Sequence, residues 1–279
     1  ILGNMWSRKR LLIWGKTYPE FSRTYYETVC TGAVDGDTGR LVRLYPITLR
    51  HLKESFSVYE WIDAEIERNT SDPRPESFRI RQDGIKTDGK LETKDGWAER
   101  SKWVLRASNV FASVRALQDA ERSDGTSLGL IKPKRIIRVY ARRLPDSDRD
   151  DWETRREEAI CQKDLFVDAE SKTKDLVFMP VQYRAAFTCD DPACPTEHDM
   201  SILDWGVYVL SRKLYRDKGG APAAEAGTID KINEMMNLDE KDAYFFLGNT
   251  KAHPTAFMIV GMYYPPKKAP PKQEQMKLF

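Results

Sequence analysis

The stretch Tyr25-Tyr26-Glu27-Thr28-Val29-Cys30-Thr31-Gly32-Ala33-Val34-Asp35-Gly36-Asp37-Thr38-Gly39-Arg40-Leu41-Val42-Arg43-Leu44-Tyr45-Pro46-Ile47 decides the fold. It reads as two strands, Tyr25 to Val34 and Arg40 to Ile47, joined by Asp35-Gly36-Asp37-Thr38-Gly39, which carries hairpin-turn chemistry. Arg10 to Trp14 supplies a strand on one side. On the other, Tyr59 to Glu67 alternates Ile62, Ala64 and Ile66 with Asp63, Glu65 and Glu67, the pattern of a half-buried strand. Asp72-Pro73-Arg74-Pro75 is incompatible with a central strand and leads into a short one, Glu76 to Arg81.

From Asp95 to Arg122 the apolar period becomes helical, with a break at Ser108-Asn109 that implies two helices. Strands return at Leu128 to Ile131 and Ile136 to Ala141, followed by an exposed charged helix from Asp148 to Cys161 and a strand from Phe178 to Phe187. Met200 to Tyr215 reads as an apolar helix, Thr228 to Met236 as a shorter one, and Tyr244 to Leu247 and Phe257 to Tyr263 as closing strands. The expected class is α+β: a mixed, mainly antiparallel sheet or partial barrel with several packed helices. Strands at both ends imply one interleaved globular domain over 5–264, with residues 1–4 as an expression scar and 265–279 as a flexible tether.

A chain of 279 residues builds its core without disulfides or metals. With 41% hydrophobic and 32% charged residues, no apolar run of membrane-spanning length and no secretory signal, the expectation is a cytoplasmic protein with no membrane partner. The net charge of +2 excludes a histone-like grip on nucleic acid but leaves room for local basic patches. Four cysteines in a reducing compartment are thiols or metal ligands.

Cys189, Cys194 and His198 place two soft ligands and an imidazole within ten residues, with Cys30 as a candidate fourth ligand; this donor set fits a structural zinc. A cluster of Cys30, Cys161, Cys189 and Cys194 is the other metal reading, and a helix cap formed by Thr196 and Asp199 is the metal-free one. Arg40, Arg43, Tyr45 and Arg50, together with Lys134, Arg138 and Arg142, combine cations with an aromatic ring, as strand-built surfaces for single-stranded nucleic acid do. Leu12-Ile13-Trp14-Gly15-Lys16-Thr17 ends in Gly-Lys-Thr but lacks the upstream glycine of a phosphate loop, which argues against nucleotide binding there. The row Asp63, Glu65, Glu67 could hold a divalent ion as nucleases do, and no residue presents itself as a nucleophile. The polar loop after Phe246, with Asn249, Lys251 and His253, stands where binding residues often sit.

Pro265-Pro266-Lys267-Lys268-Ala269-Pro270-Pro271-Lys272 favours extended polyproline II, and beyond it lies Gln275-Met276-Lys277-Leu278-Phe279. This pentapeptide resembles the motif by which bacterial proteins bind the sliding clamp. The resemblance implies that Gln275 bonds at a pocket rim while Met276, Leu278 and Phe279 fill its subsites, with Lys277 departing from the usual Ser or Asp. In the body, Lys16-Thr17-Tyr18-Pro19, Arg43-Leu44-Tyr45-Pro46 and Phe246-Leu247-Gly248-Asn249 resemble an uncharacterised bacterial protein family. Together these features favour a DNA-transaction accessory protein in replication, repair or phage defence, recruited to the sliding clamp and contacting nucleic acid through a basic strand surface, with DNA, single- or double-stranded, as the expected partner. The alternatives are a metal-dependent nuclease of a repair or defence system and a protein-interaction subunit that never touches nucleic acid.

Overall fold

The computed structural model describes residues 5–22, 26–48, 56–161, 177–217 and 221–267. Arg50, the Cys161 side chain and the clamp-motif residues Gln275, Met276, Leu278 and Phe279 lie outside them. The fold is α+β, and its first half is a closed barrel. The strands are β1 (Ser7–Lys16), β2 (Glu20–Ser22), β3 (Tyr26–Asp35), β4 (Leu41–Ile47), β5 (Glu60–Arg68), β6 (Ser77–Ile80) and β7 (Lys86–Lys90). Around the barrel the order is β1-β3-β4-β6-β5, and β5 pairs back onto β1. Every neighbouring pair is antiparallel except β4 with β6. That Greek-key closure with one parallel pair is the architecture of an OB barrel.

The hairpin that opens it is held as its sequence requires. Asp35 Oδ1 accepts from the backbone N–H of Asp37 (2.8 Å) and Thr38 (3.2 Å), and Gly39, at φ 70°, donates back to Asp35 O. Alternation then sorts the side chains. Leu11, Ile13, Val29, Ala33, Val42, Leu44, Ile62, Ala64 and Ile66 fill the barrel.

The second half begins with α1 (Lys94–Val104), β8 (Val110–Phe111) and α2 (Val114–Asp124). Then come β9 (Leu128–Ile131), β10 (Pro133–Arg143), α3 (Asp146–Cys161), β11 (Val181–Cys189) and β12 (His198–Ser201). It ends with α4 (Trp205–Asp217), α5 (Ala221–Met235), β13 (Tyr244–Thr250) and β14 (His253–Tyr263). Two sheets result, β10-β11-β12 and β14-β13-β9-β8, around a core that includes Leu117, Tyr183, Phe187, Ile232, Phe245 and Ile259.

A third core lies between the halves. Leu12 and Trp14, on the outward face of β1, pack with Val34, Leu41, Leu128, Leu130, Phe246, Val260 and Tyr263. Trp14 stacks on Phe246 with centroids 4.0 Å apart and planes 6° from parallel. The indole lies flat over Gly32, where a Cβ would come within 2.0 Å of the ring, so only glycine leaves room for it. Trp14 Nε1 donates to Ala33 O (3.0 Å), which satisfies its polar end.

Two expectations need correction. The segment from Met200 is not the start of a helix: His198–Ser201 is strand, pairing with β11, because Met200 is needed in the core and Asp199 faces Arg184 and Tyr140. The helix begins at Trp205, capped by Asp204, whose Oδ1 accepts from Val207 N (3.0 Å), so Thr196 and Asp199 are not its cap. Pro265 and Lys267, expected in a flexible tether, are instead bonded to the body: Asp242 N donates to Pro265 O and Lys267 N to Glu240 O. No helix among the described residues is long and apolar enough to cross a membrane.

Phe246→Ala removes half of the stacked pair at the seam and should cost about 3–5 kcal/mol in urea unfolding. A loss under about 1 kcal/mol would mean that the seam does not hold the halves together.

Candidate functional site

The outward faces of β1, β3 and β4 do not meet the second half everywhere. Below Trp14 they leave a cavity of about 410 Å³. Its floor follows strand alternation: Trp14 and Lys16 on β1, Thr28, Cys30 and Gly32 on β3, and Arg43 and Tyr45 on β4. Its sides come from Thr17 and Tyr18, which follow β1, and from Asn69, Ser71, Asp72 and Arg74, between β5 and β6. The second half supplies the roof, with Leu203, Asn249, Thr250, Lys251, Met258 and Val260.

Four cations and one carboxylate line this space. Arg43 is only 5% exposed, and its guanidinium is fixed by oxygen acceptors: Ser77 Oγ (3.3 Å), Ser127 Oγ (2.9 Å), and the carbonyls of Ser127 and Asn249 (3.5 Å each). Glu76 stands behind Ser127, accepting from its N–H (2.8 Å) and Oγ (2.9 Å), so the nearest carboxylate reaches Arg43 through a serine. Arg74 forks onto Asp72 (Nε–Oδ1 2.9 Å, Nη2–Oδ2 2.6 Å) and donates from Nη1 to Asn249 O (2.7 Å). Although burial alone would raise it, hydrogen bonds from Arg74 hold the Asp72 carboxyl well below the usual range.

Lys16 is 7% exposed. Its ammonium donates to Phe56 O (2.9 Å) and lies 4.5 Å from the Phe56 ring centroid. Burial pushes its pKa down to about 8, so it still carries its charge at neutral pH. Lys251 donates to Ser71 O (2.8 Å), and Tyr45 meets Thr28 Oγ1 through its hydroxyl (3.0 Å) while its side chain stays exposed. The space can therefore take an anion against fixed donors, with an aromatic ring at its edge.

A second group lies on the loop between β11 and β12. The ligand atoms of Cys189, Cys194 and His198 are all within 4.8 Å of one another, near enough to hold a metal ion, and Cys194 Sγ sits 3.1 Å from His198 Nε2. Val114 N, in the first turn of α2, donates to Cys189 Sγ (3.4 Å). Burial raises the Cys189 thiol to about 11, with the neighbouring Cys194 adding to the effect, and burial lowers His198. Cys30 is not a member of this group: it lies on β3, in the cavity wall. The acidic row on β5 is no metal centre either, since Glu65 pairs with Arg81 (2.8 Å) and Glu67 with Arg79 (3.7 Å). Among the described residues, the Cys/Cys/His group is the one with metal-holding spacing.

The residues expected to form one basic surface are divided. Arg43 and Tyr45 line the cavity, and Arg40 is exposed just ahead of β4. Lys134, Arg138 and Arg142 belong to β10, in another sheet, where they engage Asp190 (2.9 Å), Asp199 (3.9 Å) and Gln182 (2.9 Å). Sequence reasoning did not single out Arg74, and it set Lys16 aside when it discounted the Gly-Lys-Thr run as a phosphate loop; Lys16 was legible as the next outward position after Trp14 on β1.

Comparison with known proteins adds family membership and little else. No curated protein matches the chain. Among solved structures, one described as a replication protein A heterotrimer bound to ssDNA aligns over 95% of this chain and 66% of its own, at 9% identity and a TM-score of 0.25, too low to carry an argument. Residues 7–106, which include the barrel, match a domain of unknown function, DUF8758. Residues 110–279, more than half of the chain, match a second domain of unknown function, DUF8757, and the protein belongs to that family.

Proposed function

We propose that this protein binds single-stranded nucleic acid, DNA above all, on the outer face of β3 and β4, as an accessory factor in replication, repair or phage defence. The observation that carries this reading is where the cationic cavity lies. OB barrels bind oligonucleotides on the face of their second and third strands, flanked by the loop after the first strand and the loop between the fourth and fifth. In this barrel those elements are β3, β4, the segment at Thr17-Tyr18 and the segment Asn69 to Arg74, and each lines the cavity. Lys16, Arg43, Arg74 and Lys251 suit phosphate oxygens, and the exposed Tyr45 ring suits a base.

Fluorescence anisotropy with a labelled single strand across a salt series tests this. Affinity should fall steeply with salt, and Lys16→Gln with Lys251→Gln should flatten the log–log slope by about 0.7 per lost phosphate contact. Salt-independent binding, or an unchanged slope in the double variant, would remove the proposal.

A zinc ion held by Cys189, Cys194 and His198 belongs to the same reading. Two thiolates and an imidazole are its preferred donors, and the N–H of Val114 supports one sulfur as outer-shell bonds do. Elemental analysis of protein purified without added metal should find about one equivalent of zinc. Less than about a tenth would leave the three as ordinary packed side chains.

Recruitment to a sliding clamp by Gln275, Met276, Leu278 and Phe279 completes the proposal, supported by the match of Gln-Met-Lys-Leu-Phe to the bacterial motif. Removing residues 273–279 should abolish capture by immobilised clamp while leaving the anisotropy titration unchanged. Full retention by the truncated protein would sink recruitment alone.

A further inference from the structure

An OB face that binds a running strand has to be open at both ends, and this one is bridged on both sides. On one side Tyr18 N donates to Leu203 O (3.0 Å), and Thr17 forms a β-bridge with Asp204. On the other, the turn between β13 and β14 reaches down to the segment between β5 and β6: Asn249 O accepts from Arg74 Nη1 (2.7 Å), and Lys251 Nζ donates to Ser71 O (2.8 Å). Met258 and Val260 close the top. What remains is a cavity of about 410 Å³, near the small end of the roughly 300–1,000 Å³ range of single-ligand pockets. A pocket of that size suits one nucleotide against its lining.

The charge inside favours a particular kind of phosphate. Lys16, Arg43, Arg74 and Lys251 face a single lining carboxylate, Asp72, which Arg74 already occupies. A bridging phosphodiester brings one negative charge, whereas a terminal phosphate monoester brings about 1.5 to 2 at neutral pH and three acceptor oxygens. A residue from each half supplies the extremes of this set, Lys16 from β1 and Lys251 from the turn after β13.

We infer that the cavity is specific for a nucleotide bearing a terminal phosphate monoester, either the phosphorylated end of a strand or a free mononucleotide. The inference rests on the proposed nucleic-acid reading of this face and narrows it from strand to end. In an anisotropy assay, single strands of one sequence are compared as circles, as linear molecules with hydroxyl ends, and as linear molecules phosphorylated at the 5′ or 3′ end, with nucleoside monophosphates as competitors. The expected result is binding to one phosphorylated end at least tenfold tighter than to the circle or the hydroxyl-ended strand. That preference should be lost in Lys251→Gln and in Lys16→Gln, each shown folded by an unchanged melting profile.

Competition by a monophosphate at similar concentration would assign the site to free nucleotides, and its failure to compete would assign it to strand ends. A circle bound as tightly as the phosphorylated linear strand would overturn the inference and leave strand binding standing. No binding of any of these probes would overturn both.

Discussion

The contact on which the rest of the molecule depends is Trp14 lying across Gly32 and against Phe246. A barrel strand ordinarily gives one face to the interior and the other to water. Here β1 buries both, Leu11 and Ile13 inward and Leu12 and Trp14 outward. The barrel is therefore incomplete as a soluble unit without the sheet that carries Phe246 and Val260. The boundary between the two family matches, at residues 106 and 110, falls in chain rather than in space, because the shared core takes side chains from both sides of it.

Much of the barrel was legible because its signals are local. The hairpin from Tyr26 to Ile47 is fixed by Asp35 and Gly39, and β5 by the alternation of Ile62, Ala64 and Ile66. Closure was not legible, since the pairing of β1 with β5 joins Leu11 to Ile62 across some fifty residues that carry no mark of it. The segment from Met200 misled because Met200, Ile202 and Leu203 run on into the apolar helix that starts at Trp205, and the pairing of Met200 and Ser201 with β11 is a long-range contact that the local pattern does not mark. The cavity was the least legible part. Lys16, Arg43, Arg74 and Lys251 come from four separate places in the chain; Arg43 and the loop of Lys251 were marked as binding candidates, but nothing local joins them to each other or to Lys16 and Arg74. Cys30 was a candidate fourth metal ligand on the strength of its residue type, while strand register put it in the cavity wall, apart from Cys189, Cys194 and His198.

Burying Arg43 is expensive unless its donors find acceptors, and Nη1 and Nη2 find hydroxyls and carbonyls rather than a carboxylate in direct contact. The acceptors are drawn from both halves: Ser77 from β6, Ser127 from the approach to β9, and Asn249 from β13. The guanidinium thus serves as a fixed cross-brace between the halves. Because Glu76 is engaged by Ser127, the positive field of Arg43 is only partly offset where the cavity begins.

Enclosure changes what such a field can do. With a net charge of +2 the whole molecule exerts little long-range pull on a polyanion, so steering is not how it would gather its ligand. Charges held in a recess of low dielectric act instead at short range, where each contact is stronger than on an open surface. The covered OB face therefore exchanges the reach and tolerance of an open groove for discrimination by size and charge. The second half, in this view, is the part of the binding site that decides what fits.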